Sequence, residues 1–260
     1  MADGIYTSLS GALARVRHLD VLSNNLANTD TTGFKADRMA FRRVDPPTDA
    51  MANTFQAPGA DFPPRLIPDD KRFVDTEFPA TWFGAGALHE TGNDLDVALS
   101  ASGRVFFAVD TPLGVRYTRD GSFTTDAEGR LVTAEGHPVR AAGGGNILLH
   151  PGATQIDVDG TVYVDDIDVG ALEIALVPDG APLAKAGHAL FEAGAAVGPA
   201  DAADYEVRQG YLEQSNVNPV RAMTELISVH RTFEVINTTM KTYDAMDRKV
   251  INEVGKPTQS

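Results

Sequence analysis

The sequence predicts an α+β chain. Two long terminal helices pair in a coiled-coil-like layer, and an all-β domain is inserted between them. Three observations carry this expectation. Residues 218–254 hold one continuous helical stripe, with no Gly or Pro after Pro219 until Gly255 and Pro257. Residues 4–27 hold a second stripe of the same period at the opposite end. From about Leu88, short apolar runs alternate with glycine turns and no helical period intervenes.

The C-terminal stretch sets the scale. Asn218 suits a helix cap and Pro219 the first helical position. Leu226, Val229, Phe233, Ile236, Met240, Tyr243, Val250 and Val254 recur at steps of three and four, with Asp247 in one polar slot beside Met246. That spacing is the period of a coiled-coil seam. At 1.5 Å per residue such a helix is roughly 50 Å long. A stripe of that length outruns a small core and needs an equally long cover. The other terminus supplies the candidate: Ile5, Leu9, Ala12, Val16, Leu19 and Leu26 alternate in the same way, Ser23 fills the remaining slot, and Leu13 and Leu22 widen the face. Taken alone, residues 4–27 also read as an ordinary core helix. The matching helix at the far end favours terminal pairing.

Composition narrows the classes. The hydrophobic content of 43% is that of a globular protein. There are no cysteines, which excludes disulfides, a thiolate nucleophile and Cys-based zinc sites. The N-terminus lacks a basic region followed by an apolar one, so no classical signal peptide is expected. No apolar run is long enough to span a bilayer, so no membrane insertion is expected. A net charge of −14 argues against nucleic acid as a partner. Between Ala85 and Asp204 six basic residues face eighteen acidic ones, a net −12, whereas residues 205–260 carry seven of each. The middle repels its own copies and the ends do not, as expected if the ends pack together.

After the first helix comes Ser23-Asn24-Asn25-Leu26-Ala27-Asn28-Thr29-Asp30-Thr31-Thr32-Gly33-Phe34-Lys35. Its Asn, Thr and Asp side chains compete for backbone groups and end the helix. Gly33 supplies backbone freedom and Phe34 a hydrophobic anchor. Residues 45–84 hold about half of the prolines, among them Pro46-Pro47 and Pro63-Pro64, and read as an extended connector or a loop outside the core. Then the strands begin. Leu95–Leu99 and Val105–Val109 are strand-like. Val115–Arg119, an Asp120-Gly121 turn and Ser122–Thr124 suggest a hairpin. Glu128-Gly129, Glu135-Gly136 and Asp159-Gly160 punctuate later strands, which points to an antiparallel sandwich or barrel. Gln209–Val217 leads back to the terminal helix.

Several blocks of this series resemble those of the flagellar rod and hook protein family. The N-terminal signature is Asn24, Asn25, Leu26, Ala27 and Asn28, closed by Thr32, Gly33, Phe34 and Lys35. Glu90–Leu99 and Tyr117–Phe123 resemble internal blocks, and Gly210-Tyr211-Leu212-Glu213-Gln214-Ser215-Asn216-Val217 resembles the segment leading into the C-terminal helix. The resemblance spans most of the chain apart from 45–84 and much of 140–204. Ile5-Tyr6-Thr7, Asn218-Pro219-Val220 and Ala222-Met223 look most like the proximal-rod subtype, with the distal-rod subtype as the close alternative.

The resemblance implies a structural subunit of the basal-body rod, not an enzyme. It would self-assemble through its terminal helices and transmit torque across the periplasm. Its partners would be itself and other rod subunits. It would be exported unprocessed through the flagellar export apparatus, and would take no cofactor, metal or small-molecule substrate. The expected division is 1–35 with 215–260 as a discontinuous assembly domain, 36–84 as connector and 85–214 as the all-β domain.

Other chemistry finds little support. Asp157-Val158-Asp159-Gly160, followed by Asp165, Asp166 and Asp168, superficially resembles a calcium loop, but glycine arrives at position four rather than six and a solvated hairpin fits better. Gly143-Gly144-Gly145 lacks phosphate-loop context and reads as a turn. The six histidines are scattered, and His230, beside the seam, suits packing or a pH-sensitive contact. No serine sits in a Gly-x-Ser-x-Gly elbow. A rival reading is a β-sandwich carbohydrate-binding or adhesive module on a helical stalk. It would need an exposed aromatic platform, for which Trp82 is the only tryptophan, and Trp82 with Phe83 reads more simply as a plug over the β domain.

Overall fold

The computed structural model describes residues 2–39, 41–44, 73–76, 79–101, 103–194 and 197–254, and their side chains except at 2–8, 41–44, 73–76, 244, 247 and 250–254. It is an α+β chain. Helix α1 spans Ala2–Ala27 and helix α2 spans Pro219–Val254. Both follow their sequence signals: α1 ends in the Asn-rich motif, and α2 opens with proline at its first position.

The chain divides into two compact units. The first gathers Met1–Leu26, Asp37–Ala80 and Pro219–Ser260; the second gathers Ala27–Ala36 and Thr81–Asn218. The first unit holds the helices and part of the stretch expected to be an extended connector. There β1 (Asp37–Arg38) precedes β2 (Phe41–Val44), and β2 pairs antiparallel with β3 (Phe73–Thr76). The charged Phe41-Arg42-Arg43-Val44 run is too short for strand periodicity to show. Residues 45–72, the bulk of the expected connector, lie outside the described residues.

The second unit is all-β. After β4 (Ala80–Thr81) and β5 (Leu88–Glu90) come β6 (Val97–Ala101), β7 (Val105–Thr111) and β8 (Gly114–Thr118). Then follow β9 (Phe123–Thr125), β10 (Leu131–Thr133), β11 (Thr154–Ile156), β12 (Thr161–Val164), β13 (Ile167–Ala171) and β14 (Ile174–Leu176). The last five are β15 (Leu183–Gly187), β16 (Leu190–Ala193), β17 (Gly198–Pro199), β18 (Tyr205–Gln209) and β19 (Tyr211–Glu213). The largest sheet has the order β15-β16-β8-β7-β14-β17, and β18 pairs with β6 while β19 pairs with β5, all antiparallel.

Strand β7 explains where the core sits. Its run Val105-Phe106-Phe107-Ala108-Val109 is buried at every position. Successive side chains point to opposite faces. Val105, Phe107 and Val109 therefore join the main core with Val97, Leu131, Val139 and Ile147, while Phe106 joins Phe191 and Val177 in a second cluster. Phe83 packs edge-on to Phe106 at 5.9 Å, so it is Phe83 that plugs the second cluster, while Trp82 is 40% exposed.

One expected hairpin is corrected. Strand β8 folds back on β7 through Pro112-Leu113, with Thr111 opposite Gly114, and β9 pairs with β10. The Asp120-Gly121 dipeptide thus does not join β8 to β9 in a hairpin. Gly121 is there because a Cβ would lie 1.6 Å from the Val97 carbonyl oxygen. The Asp157–Gly160 segment is the expected hairpin turn, joining β11 to β12.

Candidate functional site

The segments that enter and leave the β unit are stitched together. The strap Ala27–Ala36 lies along the strands and loops drawn from the other sequence blocks. Gly33 N–H donates to the Glu213 carbonyl at 2.8 Å, and Asn216 N–H donates to Phe34 O at 3.3 Å. The Asn216 side chain accepts from Ala36 N–H at 2.8 Å and donates to the carbonyls of Trp82 and Gly84 at 2.9 and 2.8 Å. Thr32 Oγ1 donates to Asp120 Oδ1 at 2.6 Å, and the same oxygen accepts from Ser122 N–H and Oγ–H. Gly33 has φ +66°, and a Cβ there would meet Asp120 N at 2.3 Å. Only glycine permits both that conformation and that approach.

Beneath the strap lies a buried charge triad. Lys35 Nζ donates to Glu213 Oε1 at 2.5 Å, and Arg119 Nη1 donates to Glu213 Oε2 at 3.2 Å. The side chains of Lys35, Glu213 and Arg119 are 1%, 1% and 4% exposed. Two cations share one carboxylate, so the surplus charge needs other acceptors. Gly84 O takes Lys35, while Leu99 O and Gly103 O take Arg119. Gly86 N–H adds a third donor to the carboxylate at 2.7 Å. Burial holds the Lys35 ammonium below its ordinary pKa, with Glu213 opposing, and lowers Arg119 for the same reason.

The N-terminal signature residues take distinct places. Asn25 is buried, and its amide clamps the Asp37 backbone, accepting from N–H at 2.9 Å and donating to C=O at 2.8 Å. Gly33 and Phe34 are buried, Leu26, Asn28 and Thr32 are half-buried, and Asn24 and Ala27 are exposed. Lys185 Nζ stands 4.2 Å from the Phe34 ring centroid and donates to the Lys35 carbonyl at 2.7 Å.

On α2 Ala222 and Val229 are buried and Leu226, Phe233, Ile236, Asn237 and Met240 are half-buried; all but Asn237 fall at four-three steps. Tyr243, the next seam position, is exposed, and Val250 lies outside the described side chains. On α1 the fully buried side chains are Ala12, Ala14, His18, Leu22 and Asn25. Leu19 and Leu26 are half-buried, Leu9 and Val16 are exposed, and Ile5 lies outside the described side chains. His18 Nε2 lies 3.3 Å from Glu225 Oε1. Burial lowers the His18 pKa, and Glu225 partly offsets it. His230, by contrast, is exposed and 3.9 Å from Glu234.

The triad was absent from the residues that periodicity singled out. Lys35, Arg119 and Glu213 do stand inside the blocks that resemble the family's, Lys35 between Phe34 and Ala36 and Glu213 after Leu212. That placement is the one signal that could have found them.

A β unit whose two chain ends are stitched through a buried network, continuing into two long helices with partly exposed apolar faces, defines a structural assembly subunit. Comparison with known proteins gives the class its family. Residues 5–35 match the family described as "Flagella basal body rod protein", residues 101–164 match "Flagellar hook protein FlgE/F/G D1 domain", and residues 208–253 match "Flagellar basal body rod FlgEFG protein C-terminal". The chain is 36% identical to the flagellar basal-body rod protein FlgF of Caulobacter vibrioides, over 98% of this chain and 99% of that one. It is 34% identical to FlgF of Mesorhizobium japonicum, with the same coverage. To the flagellar basal-body rod protein FlgG of Bacillus subtilis it is 30% identical, over 97% and 99%. The chain belongs to the flagellar basal-body rod protein family, and among these relatives its similarity is greater to FlgF than to FlgG.

Proposed function

We propose that this chain is a non-enzymatic, proximal-type rod subunit whose terminal helices pair along a coiled-coil-like seam and carry assembly. The observation that supports this best is the covered stripe on α2, Ala222, Leu226, Val229, Phe233, Ile236 and Met240, at the four-three spacing of such a seam. The 3.3 Å approach of His18 on α1 to Glu225 on α2 also supports the pairing. Leu9, Leu13 and Val16 on α1, and Met223, Ile227, Val235 and Met246 on α2, stay exposed. That pattern suits use against neighbouring subunits, its own copies and other rod proteins, in head-to-tail contacts that build a helical shaft. The corresponding domain division is a helical assembly domain from 1–35 and 215–260, a connector at 36–84 and a β domain at 85–214. In this reading the rod lies in the periplasm, passes torque, and receives the chain unprocessed from the flagellar export apparatus.

Phe233→Asp tests the reading. Phe233 is half-buried, and a carboxylate in its place puts an unpaired charge in the seam. A strain carrying this variant as its sole copy should be non-motile, while the purified protein keeps the melting transition of its β unit. Normal swimming would contradict the assembly role of the seam.

A further inference from the structure

We infer that the groove between Tyr117 and Tyr205 on the β unit is a docking surface for a basic, extended segment of a partner protein. The inference stands on the geometry of this unit and is independent of the rod reading. The groove has a volume of about 420 Å³, floored by the strand around Ile174 and bounded by the Gly143-Gly144 turn and Pro199. That lies within the roughly 300–1,000 Å³ of ligand-sized clefts, and an apolar floor with a few convergent polar groups is what such clefts present.

Its charge selects the occupant. Arg140 is held by two carboxylates, with Nε 2.9 Å from Glu173 Oε2 and Nη1 2.9 Å from Asp110 Oδ1. At the other end the Tyr205 hydroxyl donates to the Asp159 carbonyl at 3.0 Å, and the charges of Asp159 and Asp201 act on it. The lining itself holds Arg140 and Glu173, and Asp110, Asp159 and Asp201 stand around it, inside a segment, Ala85 to Asp204, that carries a net −12. Anionic partners are repelled, and a cationic one is steered in and oriented. Two tyrosine rings offer faces for an ammonium or guanidinium group. Glu173 Oε1 carries no hydrogen bond among the described residues, so it is open to a second donor. The sheet narrows here to the two-residue β17, ending in Pro199, which leaves an extended chain room along the floor.

The test is fluorescence anisotropy of labelled decalysine, decaglutamate and a neutral Gly-Ser decamer against the full chain at about 0.15 M salt, where long-range attraction between exposed charges is largely screened. Decalysine should bind, and the other two should not. Tyr205→Ala and Glu173→Gln should each weaken binding about tenfold, while Glu128→Gln, which removes the same single charge outside the groove, should change it less than twofold. Circular dichroism melts check that the variants fold, and Tyr205→Ala decides if Glu173→Gln does not. Equal weakening by Glu128→Gln would mean general charge attraction and would overturn the assignment. So would an absence of decalysine binding, or preference for the neutral or acidic peptide. Self-association that the groove variants abolish and decalysine fails to displace would assign the groove to a second copy instead.

Discussion

Lys35 and Glu213, 178 residues apart in sequence, meet at 2.5 Å with both side chains buried from water. Their contact closes the loop of chain between the segment that follows α1 and the strand that precedes α2. Arg119, from the middle of the chain, completes the triad.

The triad makes an asymmetric prediction. Removing Glu213 leaves two buried cations without their carboxylate, whereas removing Lys35 leaves Glu213 paired with Arg119. Breaking a buried pair by deleting one partner costs about 3–5 kcal/mol. Glu213→Ala should therefore lower the melting temperature of the β unit by on the order of 10 °C, at a few degrees per kcal/mol. Lys35→Met should cost less than half as much. Thermal melts by near-ultraviolet circular dichroism check the order; equal losses would mean that the triad does not act as a charge-balanced unit.

Gly33→Ala should be severe for a residue of its size. A non-glycine residue at φ +66° costs about 1–2 kcal/mol, and its Cβ would press on backbone rather than on a side chain that can swing away. The strap should then lift from the Arg119-Asp120 backbone. Amide exchange reads this directly: the amides of Gly33 and Ala36 should lose protection in the variant. Unchanged protection would show that the close approach is not what holds the strap.

Much of this was written in the sequence, in unequal measure. The bounds of α1 and α2 were legible because periodicity and Asn-Pro or Asn-rich punctuation are local signals. On α2, Val229 is buried and Leu226, Phe233, Ile236 and Met240 are half-buried. On α1, Ala12 and Leu22 of the expected face are buried, Leu9 and Val16 are exposed, and Ala14 and His18 outside it are buried, because an apolar helix wide enough to have two faces does not say which one its own chain covers. The Asp120-Gly121 pair has the composition of a hairpin turn, yet the contact that requires its glycine comes from Val97, which no local pattern names. The expected β domain of 85–214 leaves out the strap Ala27–Ala36, which clusters with the β unit and supplies Lys35 to the triad. Buried charges were the least legible of all, since their partners lie about a hundred or more residues away.

His18 sets a pH dependence for the helical unit. Its pKa is lowered in the folded chain, chiefly by burial, from an unfolded value near 6.5. Above about pH 6.5 the imidazole is neutral in both states and contributes no slope. As pH falls below that, the unfolded chain takes up the proton first, and stability declines until the lower folded pKa is passed. His18→Gln should remove this component: its helix melts should lose less between pH 7 and pH 5 than those of the native chain. Identical pH profiles would place the titration elsewhere.

The central claim is that α1 and α2 order each other. The most direct measurement is far-ultraviolet circular dichroism of the chain lacking residues 1–26, which retains the strap and the whole β unit. Long helices with an uncovered apolar stripe are marginal in water, so the account predicts that the helical signal of Pro219–Val254 is largely lost or the protein aggregates, while the β-unit transition persists. A full α2 signal from a soluble truncated chain would contradict the pairing.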